Sequence, residues 1–189
     1  MNILVFTQCF APKIGGIESV MTNIAQHAYT IRNKVTVLSD GSKISSSAFD
    51  NKSKFIIYRF DQIKFLRKRI KSNFAHNYLK NNKIDLIFFD SWKSIESFNC
   101  ITDAKKICLV HGNEILKLSN KSRIFNALHK ADLIIFNSQF TKSKTFKNFK
   151  NLKKIEHTVI HPAFIKKIFK SKINKKKYDL CTVARLEYR

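Results

Sequence analysis

Residues 2–29 read Asn-Ile-Leu-Val-Phe-Thr-Gln-Cys-Phe-Ala-Pro-Lys-Ile-Gly-Gly-Ile-Glu-Ser-Val-Met-Thr-Asn-Ile-Ala-Gln-His-Ala-Tyr. The first six are a short apolar run rich in β-formers and predict a strand buried on both faces. A Pro/Gly loop follows. Ile17, Val20, Met21, Ile24 and Ala28 then recur at three- and four-residue spacing, which predicts an amphipathic helix from about Gly16 to Tyr29. Strand, tight loop and helix in that order open a βαβ unit.

The same alternation runs down the chain. Strands are predicted over 34–39, 55–60, 85–89, 106–110, 131–136 and 158–160, with helices over 62–80 and 141–149 and a polar loop over 42–51. In the 62–80 helix, Ile63, Leu66, Ile70, Phe74 and Tyr78 form an apolar stripe at helical period, expected to face the core. The reading is an α/β fold, a doubly wound parallel sheet with helices on both faces. The expected layout is a Rossmann-like domain over 1–165, a lysine-rich connector over 166–177 and the opening strand of a second domain over 178–189.

The chain has 189 residues, 44% of them apolar and 12% aromatic, enough for one core of about 150 residues and unlike a disordered basic tail. Its apolar runs are far shorter than the ~20 residues needed to cross a bilayer. Residues 1–7 lack a basic segment and a small-residue cleavage site, so no secretory signal is expected. Cys9, Cys100, Cys108 and Cys181 are widely spaced without a C-x-x-C pair, so we expect reduced thiols in a cytoplasmic protein and no zinc.

Lys and Arg number 36 against 13 Asp and Glu, a formal charge of +23. Such a balance suits a polyanion, nucleic acid or an anionic membrane face, or else a solvated lysine-rich surface. The densest basic stretches are 64–71 and 166–177. Neither carries an RNA-recognition, zinc-finger or helix-turn-helix signature, so a basic module that binds nucleic acid without catalysis is the alternative reading, not the first. On the 62–80 helix, Arg67, Lys68 and Arg69 are the residues expected to meet anionic lipid at the inner face of a membrane, with Phe65 dipping into the interface.

Only four glycines and two prolines occur. Pro12, Gly15 and Gly16 share one loop, and Gly112 and Pro162 each follow a strand, where ligands bind in an open α/β sheet. Gly15-Gly16 at a helix start admits close approach of an anion to backbone N–H groups; without G-x-G-x-x-G it is equally a tight turn. His111-Gly112-Asn113-Glu114 places an imidazole and a carboxyl at a strand end, a pattern that also serves backbone hydrogen bonding.

Together these segments resemble a known family. Pro12-Lys-Ile-Gly15-Gly16-Ile-Glu18 is similar to the P-x-x-G-G-x-E signature of the family 4 retaining glycosyltransferases. His111-Gly112 matches its His-Gly pair, and the 131–142 segment its A-D-x-I-I-x-x-S-x-x-x-K stretch. Val159-Ile-His-Pro162 resembles its interdomain turn, with Ala-Phe in place of Asn-Gly, and Val183-Ala-Arg185-Leu its G-R-L motif, with Ala184 for the glycine.

The resemblance implies the GT-B architecture of two Rossmann-like domains around a cleft. It implies that Gly15, Gly16 and Arg185 contact the donor diphosphate, that His111 lies beside the transferred sugar, and that Glu18 and Glu114 support the loop or acceptor. It also implies a nucleotide-sugar donor, a glycan or lipid-linked acceptor, transfer on one face of the sugar, and no cofactor or metal. The family's second domain, with its E-x7-E donor motif, has no counterpart in these residues, so the expectation is a chain that transfers no sugar by itself.

Overall fold

A computed structural model describes residues 1–115 and 120–163. Seven strands form one sheet: β1 (Asn2–Thr7), β2 (Lys34–Asp40), β3 (Ile56–Phe60), β4 (Leu86–Phe89), β5 (Lys105–Val110), β6 (Leu133–Phe136) and β7 (Glu156–Val159). All pairings are parallel and the order is β3-β2-β1-β4-β5-β6-β7. The order turns at β1, where β4 docks on the side opposite β2, and this switch point is where such sheets bind ligands.

The helices are α1 (Gly16–Thr30), α2 (Lys43–Asp50), α3 (Lys64–Asn81), α4 (Trp92–Ser97), α5 (Gly112–Ile115), α6 (Lys121–Leu128) and α7 (Gln139–Asn148), followed by a 3₁₀ turn over Lys150–Lys154. Strands β1 to β5 divide their side chains between two cores, and β6 and β7 add to one of them. Leu4, Phe6, Ile87, Phe89, Val110 and Phe136 share one with Trp92, Ile95 and Ile124. Ile3, Val5, Val35 and Val37 share the other with Met21 and Ala25 of α1. Among the described residues the second face is bare of helices over β4–β6. An apolar groove of about 840 Å³ lies there, lined by Ile3, Ile24, Phe88, Leu109 and Ile135.

Two local expectations are corrected. The expected loop over 42–51 contains α2, because Ser42 caps it by accepting a bond from Ser45 N at 3.4 Å. The stripe of α3 is also rotated. Phe74 and Tyr78 pack on the core, but Ile63, Leu66 and Ile70 are exposed, and Lys71, Ser72 and Ala75 turn inward instead.

The buried cation is the reason. Lys71 Nζ donates to the Thr7 carbonyl at 2.8 Å and to Asp40 Oδ1 at 2.5 Å, and lies over the Phe6 ring. Arg67 pairs with the other Asp40 oxygen at 2.9 Å. Burial pulls the Lys71 pKa below its ordinary value, with Asp40 opposing. The boundary at 165, the connector over 166–177, the strand over 178–189 and Arg185 lie outside the described residues.

Candidate active site

Gly15 and Gly16 follow β1, and His111 and Glu114 follow β5, so all four stand at the carboxyl edge. Gly15 caps α1, whose first turn presents N–H groups ahead of the bond from Ser19 N to the Gly15 carbonyl. The two glycines do different work. A Cβ on Gly15 would come within 2.1 Å of Glu18 Oε2, so Gly15 makes room for the Glu18 carboxylate, which is buried and lies 3.8 Å from Lys13. A Cβ on Gly16 would meet nothing within 4 Å. That side of the helix start is open to a guest.

The loop leading there is held by buried charges. Asp90, just past β4, accepts from Gln8 N at 2.9 Å and Cys9 N at 3.2 Å through Oδ2, while Ser94 and Ser91 donate to Oδ1. Arg59 donates to the Ala11 carbonyl at 2.5 Å, to both Asp50 oxygens at 3.0 and 2.6 Å, and lies over Phe10. Burial, with Asp90 and Glu18 adding to it, pushes the Cys9 thiol up to about 12. Cys9 is therefore a protonated thiol at neutral pH and no nucleophile.

His111 Nε2 lies 3.0 Å from the Asp90 carbonyl oxygen. A carbonyl only accepts, so Nε2 carries the proton and Nδ1 keeps a lone pair. Burial lowers the His111 pKa, so the ring is neutral at physiological pH. Its backbone N–H donates to Glu114 Oε1 at 3.1 Å. Burial drives the Glu114 carboxyl up to about 8 against that hydrogen bond. At pH 7 Glu114 is mostly protonated. Ser138 caps α7 by accepting from Thr141 N at 3.1 Å, leaving it a structural hydroxyl.

A raised carboxyl pKa contributes stability that is complete below the ordinary carboxylate range and lost as pH climbs toward the folded value. Thermal melts of Glu114→Gln and the parent should therefore coincide near the ordinary carboxyl value of 4.5 and diverge up to about 8, with the variant several degrees higher at the alkaline end. Melting curves that fall in parallel would contradict the buried carboxyl.

Sequence reading singled out the glycines, His111 and Glu114, which share this edge, and passed over Asp90, Arg59 and Lys71. The signal available was a charged residue at or just past the end of an apolar run, in Asp90 and Arg59. Among the described residues no cluster of three His, Cys, Asp or Glu is placed to hold a metal ion, and no helix is long and apolar enough to cross a membrane.

The fold and the position of the site define a Rossmann-like α/β protein with its ligand edge at the β1, β4 and β5 loops. The profile of Glycosyltransferase Family 4 matches residues 14–164, and the chain belongs to that family. Among solved structures, the HepE protein of Anabaena, determined in complex with UDP and glucose, is similar with a TM-score of 0.57 and 20% sequence identity. The match covers 86% of this chain and 44% of that one, so the chain spans less than half the length of its structural neighbour. No curated protein matches the chain.

Proposed function

We propose that this carboxyl edge is the acceptor-side wall of a retaining, nucleotide-sugar-dependent hexosyltransferase. The observation that carries the reading is the pairing, at one edge of a Family 4 sheet, of an open helix start at Gly16 with a neutral imidazole at His111. The Gly16 side takes the donor diphosphate on backbone N–H groups, aided by the α1 dipole. His111 steadies a hydroxyl of the transferred sugar through Nδ1, the ring nitrogen that keeps its lone pair. Glu18 braces the turn, and Glu114 fixes the His111 backbone.

Arg185 adds to the diphosphate contacts, and transfer uses a donor-binding domain facing this edge. The leaving phosphate takes up the acceptor proton on the same sugar face, so charge stabilisation rather than a carboxylate nucleophile supplies the rate, without a metal or cofactor. UDP-glucose is the first donor to try, since HepE was solved with UDP and glucose. Acceptor-dependent release of UDP by the chain joined to a donor-binding domain supports the reading. Steeply salt-dependent binding of nucleic acid with no release from any nucleotide-sugar supports the polyanion module instead.

The acceptor side also carries a surface for anionic lipid. Ile63 and Phe65 are 73% and 78% exposed at the start of α3, beside Lys64, Lys68 and Arg69. Arg67, held by Asp40, and Lys68, 3.8 Å from Glu96, contribute less. Each cation near such a surface contributes about 1 kcal/mol, so Lys64 and Arg69, with two apolar side chains, give reversible docking from the cytoplasmic side. Co-sedimentation with anionic vesicles should fall with salt and disappear on combining Lys64→Glu, Lys68→Glu and Arg69→Glu. Equal binding to neutral vesicles would contradict it.

A further inference from the structure

Asp90 touches both halves of the site and is 1% exposed. Its carboxylate takes two consecutive N–H groups, Gln8 and Cys9, at the point where the chain leaves β1 toward Gly15 and Gly16. Its carbonyl takes His111 Nε2 from the loop after β5. The first and last of these contacts span 82 and 21 residues of sequence, so no local turn imposes them. The carboxylate itself is fixed from behind by the Ser94 and Ser91 hydroxyls at the start of α4.

Each contact has a chemical consequence. An ionised carboxylate shared by two amides is a stronger acceptor than a neutral oxygen and fixes the peptide planes that give them. A carbonyl facing Nε2 selects one imidazole tautomer and leaves Nδ1 as the acceptor, while a rotated ring would present a donor instead. Both consequences depend on the position of one residue. Two cations hold the same stretch with the opposite polarity: Lys71 donates to the Thr7 carbonyl and Arg59 to the Ala11 carbonyl. Asp90 alone reaches across to the imidazole.

We propose that Asp90 is a positioning residue that couples the β1–α1 loop to His111, setting the loop backbone with its carboxylate and the imidazole tautomer with its carbonyl. The inference rests on the proposed transferase site for its functional meaning. Its test needs no activity, so the two can fail separately.

The test is nitrogen-15 NMR on the 189-residue chain, reading the imidazole nitrogens of His111, assigned against His111→Ala, and amide exchange at Gln8 and Cys9. The parent should show the neutral Nε2–H tautomer. Asp90→Asn should speed exchange at Gln8 and Cys9 by about tenfold as the charged acceptor is lost and, because the side chain that fixes the Asp90 backbone is loosened and its carbonyl with it, should give His111 a mixture of tautomers. Ser94→Ala, which removes only one donor behind the carboxylate, should shift both readouts in the same direction by less, and decides the matter if Asp90→Asn does not fold. A parent His111 protonated on Nδ1 would overturn the proposal. So would variants that leave the Gln8 and Cys9 exchange rates and the His111 tautomer where they were.

Discussion

In the proposed two-domain transferase, Gly16→Val should cost at least about a hundredfold in kcat/KM, with the fold intact. A Cβ added at Gly16 meets nothing beyond its own turn within 4 Å, and the backbone there is not left-handed, so the fold has room for the substitution. On the proposed reading, what a valine would meet is the diphosphate. His111→Ala removes one hydrogen bond to the Asp90 carbonyl, about 1 kcal/mol of stability, and should lower kcat by a similar hundredfold. Steady-state kinetics paired with urea denaturation reads both variants. Wild-type turnover in either would remove that residue from the site, and a matching loss of stability would reassign it to the fold.

The second large effect is on stability. Arg59 is 5% exposed and its guanidinium holds Asp50 at two oxygens, Ser39 Oγ at 3.4 Å and the Ala11 carbonyl. Arg59→Met fills much of the same space but leaves Asp50 without its cation and the Ala11 carbonyl without its donor. Removing one partner of a buried pair costs about 3–5 kcal/mol, a large part of the ~5–15 kcal/mol that holds a domain. The urea midpoint of the 189-residue chain should fall accordingly, and Arg59→Met combined with Asp50→Asn should recover part of the loss. A fall of less than about 1 kcal/mol would mean that the pair is hydrated and unimportant.

These cations mark what the sequence could not reveal. The strands were legible because parallel strands buried on both faces read as unbroken apolar runs, as in Leu4-Val5-Phe6. The loops of the carboxyl edge were legible because glycine and proline are scarce and fall after strands. The orientation of α3 was not. Periodicity counts apolar side chains, and the inward face of that helix is decided by Lys71, whose charge is matched by Asp40 and a carbonyl. Lysine in a basic sequence reads as surface. Asp90 was hidden for the same reason: its role lies in contacts with residues far away in the chain. The helix α2 was missed because its serines read as loop, while Ser42 in fact serves as the cap.

The most direct measurement is a crystal structure of the chain joined to its donor-binding domain, grown with UDP-glucose or another accepted nucleotide-sugar. The diphosphate is expected within hydrogen-bond distance of the Gly16 N–H, with a sugar hydroxyl donating to His111 Nδ1. A donor bound with its diphosphate away from α1, or with the sugar out of reach of His111, would contradict it.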